Sequence, residues 1–262
     1  MCPPHADVFR PPAEATYSKE AVNRAGDLLR VFFSRPPIGP GEPNWGDFKR
    51  DEVIDAMYAL TWWKQGHARS LSNVGAKLYY HVKKENGEVD GEMEVAQRLK
   101  KRDTIIGKLN RYPKMKLTRM HDIGGVRATL PSLQCLTAVS RRLRKNWTII
   151  NTRDYIAEPK VSGYRAIHHE VRHAGKVIEV QLRTVRQHAW ANQVEDDGRA
   201  RGTGYKFGFG DDDIHSYYRA VSDVFWAMDA EQPLREGLQD ELRSSYDKIR
   251  DVLRPQSPRE KS

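Results

Sequence analysis

Cysteine is nearly absent from this chain: 262 residues contain two, Cys2 and Cys135. Two thiols so far apart make neither a disulfide framework nor a cysteine metal cluster, and both are expected to be reduced. Long apolar runs are absent as well. None approaches the roughly 18 residues of a membrane span, and the proline-rich residues 1–12 carry no hydrophobic signal core, so a cytoplasmic protein without a membrane partner is expected. There is no internal repeat. Acidic residues are in deficit, with 35 Asp and Glu against 44 Lys and Arg for a net charge of +9. Hydrophobic residues make up 39% and there are six tryptophans, enough for a substantial core.

The positive charge is concentrated. Residues 95–127 contain ten Lys or Arg against Asp103 and Asp122, a local excess of +8. Such a field attracts polyanions, either nucleotide phosphates or a nucleic-acid backbone. A solvated helical face is the alternative for a charge run taken alone, and only spacing can decide between them.

Periodicity divides the chain into an arm with one helix (1–44), a single domain (45–253) and a disordered tail (254–262). Helices are expected from about residue 18, at 47–66 and 68–84, and then as a basic helix running to about Asn110 after a polar turn at 86–91. The sheet follows: strands at 124–130, 147–152, 166–172 and 177–183, with a helix from Ser132 to Lys145 between the first two. Thr184 caps a further helix, 202–210 form a flexible loop, and two helices cover 212–230 and 233–253. This order suggests an α+β fold with one mixed sheet flanked by helices. Trp62, Trp63 and Trp226 fall in helical patterns and are expected in the core. Lone histidines such as His67, His81, His173 and His215 read as packing or surface residues.

Several groups carry chemistry. Lys100, Thr104 and Lys108 recur at four-residue intervals, which on a helix would align two cations and a hydroxyl along a triphosphate, with Arg98 able to stack on a base. In MHDIGGVR, Asp122 precedes a Gly-Gly pair that would let the backbone approach a ligand, and Arg127 projects from the following strand. In VIEVQLR, Ile178, Val180 and Leu182 share one strand face while Glu179, Gln181 and Arg183 share the other. A hairpin through Ala174-Gly175 would bring His168 and Glu170 beside that polar row. Asp122 and Glu179 together could hold magnesium on ATP phosphates. In EPKVSGYR, Lys160 offers a point charge and Gly163 frees the backbone so that Tyr164 can present its ring, with Arg153 shortly before.

Taken together, the blocks RLKKRDTIIGKL, MHDIGGVR, DYIAEPKVSGYRAIHH and VIEVQLRT resemble the RelA/SpoT synthetase domain in order and spacing. The resemblance implies a mixed five-stranded sheet of nucleotidyltransferase-like type and a pyrophosphokinase moving the β,γ-pyrophosphate of ATP onto a ribose 3'-hydroxyl. It places Arg98, Lys100, Thr104, Lys108 and Arg127 on ATP. Mg²⁺ falls to Asp122 and Glu179, the latter being either a metal ligand or the base that activates the 3'-hydroxyl. Tyr164 would stack on the acceptor base, with Arg153, Lys160, His168, Gln181 and Arg183 around the acceptor. Two departures, Ser162 before Gly-Tyr and Asn151 ahead of DYI, fall on the acceptor side and point away from guanosine. The segments YSKEAVNRAG and WWKQGHARSL are similar to a branch that includes toxic small alarmone synthetases, which implies the 3'-terminal adenosine of tRNA as acceptor and an antitoxin protein as partner. A (p)ppGpp or (p)ppApp synthetase using GDP, GTP or an adenine nucleotide is the second reading, and a non-catalytic RNA-binding module the third. Residues 1–94 lack a His-Asp metal cluster, so removal of the product is not expected.

Overall fold

The structure, a computed structural model, describes residues 11–39, 42–86, 94–205 and 210–253. Eight helices and five strands are seen there, in the order α1 (Lys19–Ser34), α2 (Arg50–Gln65), α3 (Ala68–Asn86), β1 (Glu94–Leu99), α4 (Arg102–Arg111), β2 (Gly124–Leu130), α5 (Leu133–Asn146), β3 (Ile149–Asp154), β4 (Ile167–His173), β5 (Lys176–Thr184), α6 (Val185–Ala200), α7 (Asp212–Asp229) and α8 (Leu238–Leu253). The strands form one five-stranded sheet in the order β1-β2-β5-β4-β3. Among the described residues, no helix is long and apolar enough to cross a membrane. The polar turn read at 86–91 extends beyond the described residues, as does the tail, and the loop expected at 202–210 is described only in part.

Contacts group the chain into two compact units, Met1–Lys77 with Ala96–Val126 and Glu170–Val180, and Leu78–Val95 with Arg127–His169 and Gln181–Ser262. In the first unit, Ser18 caps α1 by accepting from the Ala21 amide, and Val22, Ala25, Leu29 and Phe32 recur at helical spacing on its buried face. They pack with Val53, Met57 and Leu60 of α2 and with Ile105, Ile106 and Leu109 of α4. Each such fully buried aliphatic side chain contributes about 1.5–3 kcal/mol. The Asn23 carbonyl of α1 accepts from both the amide and the hydroxyl of Thr118, which anchors the turn at Leu117–Arg119 leading to Asp122.

One local expectation is overturned. Residues 94–99 form an edge strand, not the start of the basic helix, and the helix begins only at Arg102. The Lys100 amide donates to the Ile123 carbonyl at 2.8 Å, tying this segment to the entry of β2. A partner more than twenty residues away satisfies the backbone here, and a tertiary pairing of that kind overrides helical propensity. Arg98 therefore lies on a strand and Lys100 at a strand–helix junction.

In the second unit, Ser132 caps α5, and Thr184 forms a reciprocal capping box with Gln187 at the start of α6. Trp190, Val194, Tyr205, Ile214, Tyr218 and Ile249 make the core that joins α6, α7 and α8. Trp226 is not part of it: the residue is 36% exposed, and the Arg165 guanidinium lies 5.5 Å from the centre of its ring. His169 is fully buried between the hydroxyls of Ser140 and Thr152, each 2.9 Å from a ring nitrogen.

Candidate active site

The hairpin between β4 and β5 turns through Ala174 and Gly175, both at positive φ, 45° and 74°. A two-residue turn of this kind sets the register, opposing His173 with Lys176 and hence Glu170 with Glu179 and His168 with Gln181. Ile178, Val180 and Leu182 are fully buried, whereas Glu179 and Gln181 are half-buried, so the alternation read from the sequence is realised. Two carboxylates directly opposed on one face repel, and His121 offsets this by placing Nδ1 at 2.9 Å from the Glu170 carboxylate.

The first unit holds the groups expected on the nucleotide donor except Arg127, which belongs to the second unit. Lys100 Nζ donates to one oxygen of Asp122 at 2.8 Å, and Lys108 Nζ lies 2.9 Å from the other. Burial opposes ionisation of this carboxylate, but the charges and hydrogen bonds of Lys100 and Lys108 outweigh it and hold the pKa below the ordinary value. The carboxylate is thus ionised and shared by two cations whose side chains are 14% and 23% exposed. Glu179 belongs to the same unit. Arg98 and Thr104 are exposed on β1 and α4. Gly124 of the Gly-Gly pair serves packing: a Cβ on it would stand 2.8 Å from Ile178 Cδ1, so this glycine admits a core side chain.

The second unit assembles the groups expected on the acceptor. The Tyr164 hydroxyl lies 2.7 Å from His168 Nε2 and accepts from Arg183 Nη2 at 2.8 Å, and the same nitrogen donates to Gln181 at 3.0 Å. Cations stand over the ring: Lys160 Nζ is 4.9 Å and the Arg183 guanidinium 5.0 Å from its centre. Tyr155 joins the group, with its ring 5.8 Å from Tyr164 and 4.5 Å from Lys160 Nζ. Burial first, and then the charges of Arg127 and Arg183, push the nearby His188 below its ordinary pKa. Arg127 also pairs with Glu94 at 3.9 Å, and Arg153 is exposed on the edge strand β3. Ser162 is buried, 6% exposed, and turned inward.

Sequence reasoning overlooked His121, Tyr155 and Arg165. Tyr155 carried a signal, an aromatic beside a cation-rich loop, whereas the partners of His121 and Arg165 are distant in sequence. No group of three or more His, Cys, Asp or Glu suited to a metal occurs among the described residues. Magnesium with one or two carboxylates completes its shell from phosphates and water, and an ionised Asp122 fits that need.

Comparison with known proteins gives one family. Residues 97–206 match the family model described as "Region found in RelA / SpoT proteins". Over 122 residues the chain is 33% identical to an uncharacterized protein of Mycobacterium tuberculosis (strain H37Rv), covering 44% of this chain and 43% of that one. Over 109 residues it is 34% identical to GTP pyrophosphokinase YjbM of Bacillus subtilis, covering 37% of this chain and 52% of that one. The matches span about half the length of these curated relatives or less. The small alarmone synthetase 1 from Bacillus subtilis, solved bound to its product pppGpp, is similar in structure with TM-score 0.55 and 22% identity over 71% of this chain and 99% of that one. A GTP pyrophosphokinase family protein from Streptococcus pneumoniae gives TM-score 0.52 and 23% identity over 70% and 96%. The mixed five-stranded sheet with flanking helices is thus the fold of the small alarmone synthetases, and residues 97–206, which carry both groups of side chains just described, match the RelA/SpoT region.

Proposed function

We propose that this protein is a pyrophosphokinase that transfers the β,γ-pyrophosphate of ATP to a ribose 3'-hydroxyl. The observation that carries the reading is the Asp122 carboxylate held between Lys100 and Lys108, within the segment that matches the RelA/SpoT region. Two cations and an ionised carboxylate are what a magnesium triphosphate requires of its site. Asp122 and Glu179 would hold Mg²⁺, which when bound offsets phosphate charge and polarises the reacting phosphorus. Lys100 and Lys108, which hold the Asp122 carboxylate, would turn to the phosphates of ATP, and Asp122 would then be free to hold the metal. Arg98 and Thr104, both exposed, would add contacts to the donor, and Arg127 is the further cation assigned to it. Positioning and electrostatics then supply most of the rate, with the 3'-oxygen attacking the β-phosphorus in line and AMP leaving. Glu179 would either complete the metal site or take the proton from the 3'-hydroxyl.

The acceptor belongs to the group around Tyr164. A base stacking on this ring displaces Lys160 or Arg183 from its face, and the displaced cation meets the acceptor's phosphates together with Arg153; His168 and Gln181 hold the hydroxyl edge. The acceptor we favour is the 3'-terminal adenosine of tRNA, supported by the net charge of +9 and the excess at 95–127. Modification there would stop aminoacylation, which makes the protein a toxin that needs an antitoxin protein. A guanosine nucleotide is the second reading. It is supported by the likeness to a protein named as a GTP pyrophosphokinase and by the burial of Ser162, one of the two departures from the family pattern.

The test supplies ATP labelled in its β,γ-phosphates with deacylated tRNA, GDP, GTP or ATP as acceptor. Label in tRNA alone supports the first acceptor, and label in nucleotide alone overturns it in favour of the second. No release of AMP with any acceptor overturns the pyrophosphokinase reading.

A further inference from the structure

Helix α7 lies outside the matched residues 97–206, yet it grips the loop that presents Tyr164. Arg165, the next residue, is the centre of the grip. One guanidinium nitrogen donates to Asp223 at 2.7 Å, a second to the Ile156 carbonyl at 3.0 Å, and Nε to the Ser222 hydroxyl at 3.3 Å. Ser222 in turn donates to the Gly163 carbonyl at 2.5 Å, and the guanidinium lies over Trp226. Arg165 therefore joins the start of the loop at Ile156 to its end and fixes both to one helix face. The residues involved, Arg219, Ser222, Asp223 and Trp226, follow helical spacing.

Close packing makes the grip specific. Gly163 is at φ +89°, and a Cβ there would stand 3.1 Å from Arg219 Cα, 3.2 Å from Ser222 Cβ and 3.4 Å from the Trp190 ring. Backbone meets backbone, so the loop cannot slide without α7 moving too. A second fastening lies one turn beyond Trp226. Asp229 is buried, accepts from the Thr184 hydroxyl and from Arg186 at 2.9 Å, and thereby ties the end of α7 to the strand end that carries Arg183. The helix thus touches both segments that converge on the Tyr164 ring. The Arg165 side chain is 11% exposed and that of Asp223 34%, so the pair is partly sheltered from water and its hydrogen bond is charge-assisted.

We propose that Arg165, Ser222 and Asp223 are positioning residues for the acceptor: α7 acts as a clamp that holds the Ile156–Arg165 loop so that Tyr164 and Lys160 meet the acceptor in one geometry. This rests on the proposed pyrophosphoryl transfer. The partners of all three belong to the unit that carries Tyr164, so the clamp is expected to act on acceptor use and not on ATP. A ring misplaced by about 1 Å costs on the order of 10- to 100-fold in use of the group it positions.

Two measurements on the full chain separate the clamp from the activity. In Asp223→Ala and Ser222→Ala, amide hydrogen exchange of residues 156–165 should accelerate while exchange in α1 and α4 stays at the wild-type rate. This needs no turnover, and unchanged exchange in both variants overturns the clamp even if the protein proves not to be a pyrophosphokinase. In the active enzyme, KM for the acceptor should rise on the order of tenfold or more while KM for ATP stays within about twofold, and Asp223→Glu should recover most of the loss. Equal changes in both KM values, or no recovery by glutamate, would overturn the positioning role. Absence of activity in the wild-type protein overturns only the functional reading.

Discussion

Replacing Asp122 by asparagine separates two effects that ordinarily move together, ATP binding and ATP use. Asn keeps the shape and removes the charge that Lys100 and Lys108 share at 2.8 and 2.9 Å. An ion pair this close at an effective dielectric of 20 is worth at most about 6 kcal/mol of Coulomb energy, and desolvation of both partners returns most of it. With lysine side chains 14% and 23% exposed, a net value of about 1 kcal/mol per pair follows, between the exposed and buried limits. Folding stability should therefore fall by about 1–2 kcal/mol, and the domain should survive. The same energy is a cost that ATP must meet to recruit the lysines. With the carboxylate gone, metal-free ATP should bind about 5- to 30-fold more tightly, since each 1.4 kcal/mol is a factor of ten. Turnover with magnesium should nevertheless fall by on the order of 100- to 1,000-fold, the usual loss for one electrostatic group aimed at the transition state. Calorimetric titration in a chelator and AMP release in magnesium read the two halves. Weaker metal-free binding in Asp122→Asn, or turnover within about threefold of wild type, would refute the exchange of lysines between carboxylate and phosphate.

Further outcomes follow from the same geometry. Glu179→Ala should abolish transfer with little change in thermal midpoint, because this side chain is half-buried on the polar strand face; near-normal AMP release would remove it from the site. Tyr164→Ala should raise KM for the acceptor far more than KM for ATP, and equal loss of both would end its stacking role. Acid should destabilise the fold through His169, whose pKa burial lowers from 6.5 to about 4. The unfolded chain binds the proton first, so stability is full above about pH 6.5 and falls towards pH 4 by about 3 kcal/mol. A urea midpoint that is flat over this range would refute that. Raising salt from 50 to 200 mM should weaken tRNA binding by a factor of ten or more if several phosphates are contacted, while thermal stability changes little.

The α+β class, the amphipathic helices and the alternating strand 176–184 were legible because each depends on local period: apolar residues three or four apart, or every second residue, mark a buried face whatever lies against it. The caps at Ser18, Ser132 and Thr184 were legible for a similar reason, since a side chain satisfies amides only two or three residues ahead. Motif spacing assigned Lys100 and Lys108 to phosphates and paired Asp122 with Glu179; that the two lysines hold Asp122 is a tertiary contact it did not supply. What local pattern could not supply was anything that depends on a distant partner. Residues 94–99 became a strand through pairing with β2, Gly124 was needed for Ile178, and Trp226 left the core to lie beneath Arg165. The pairing of His121 with Glu170 and the clamp of α7 on the tyrosine loop join residues 49 and 58 positions apart. Backbone and charged groups removed from water must find partners wherever the fold offers them. The sequence by itself determined which residues could do the chemistry, and the tertiary structure decided which of them stand together.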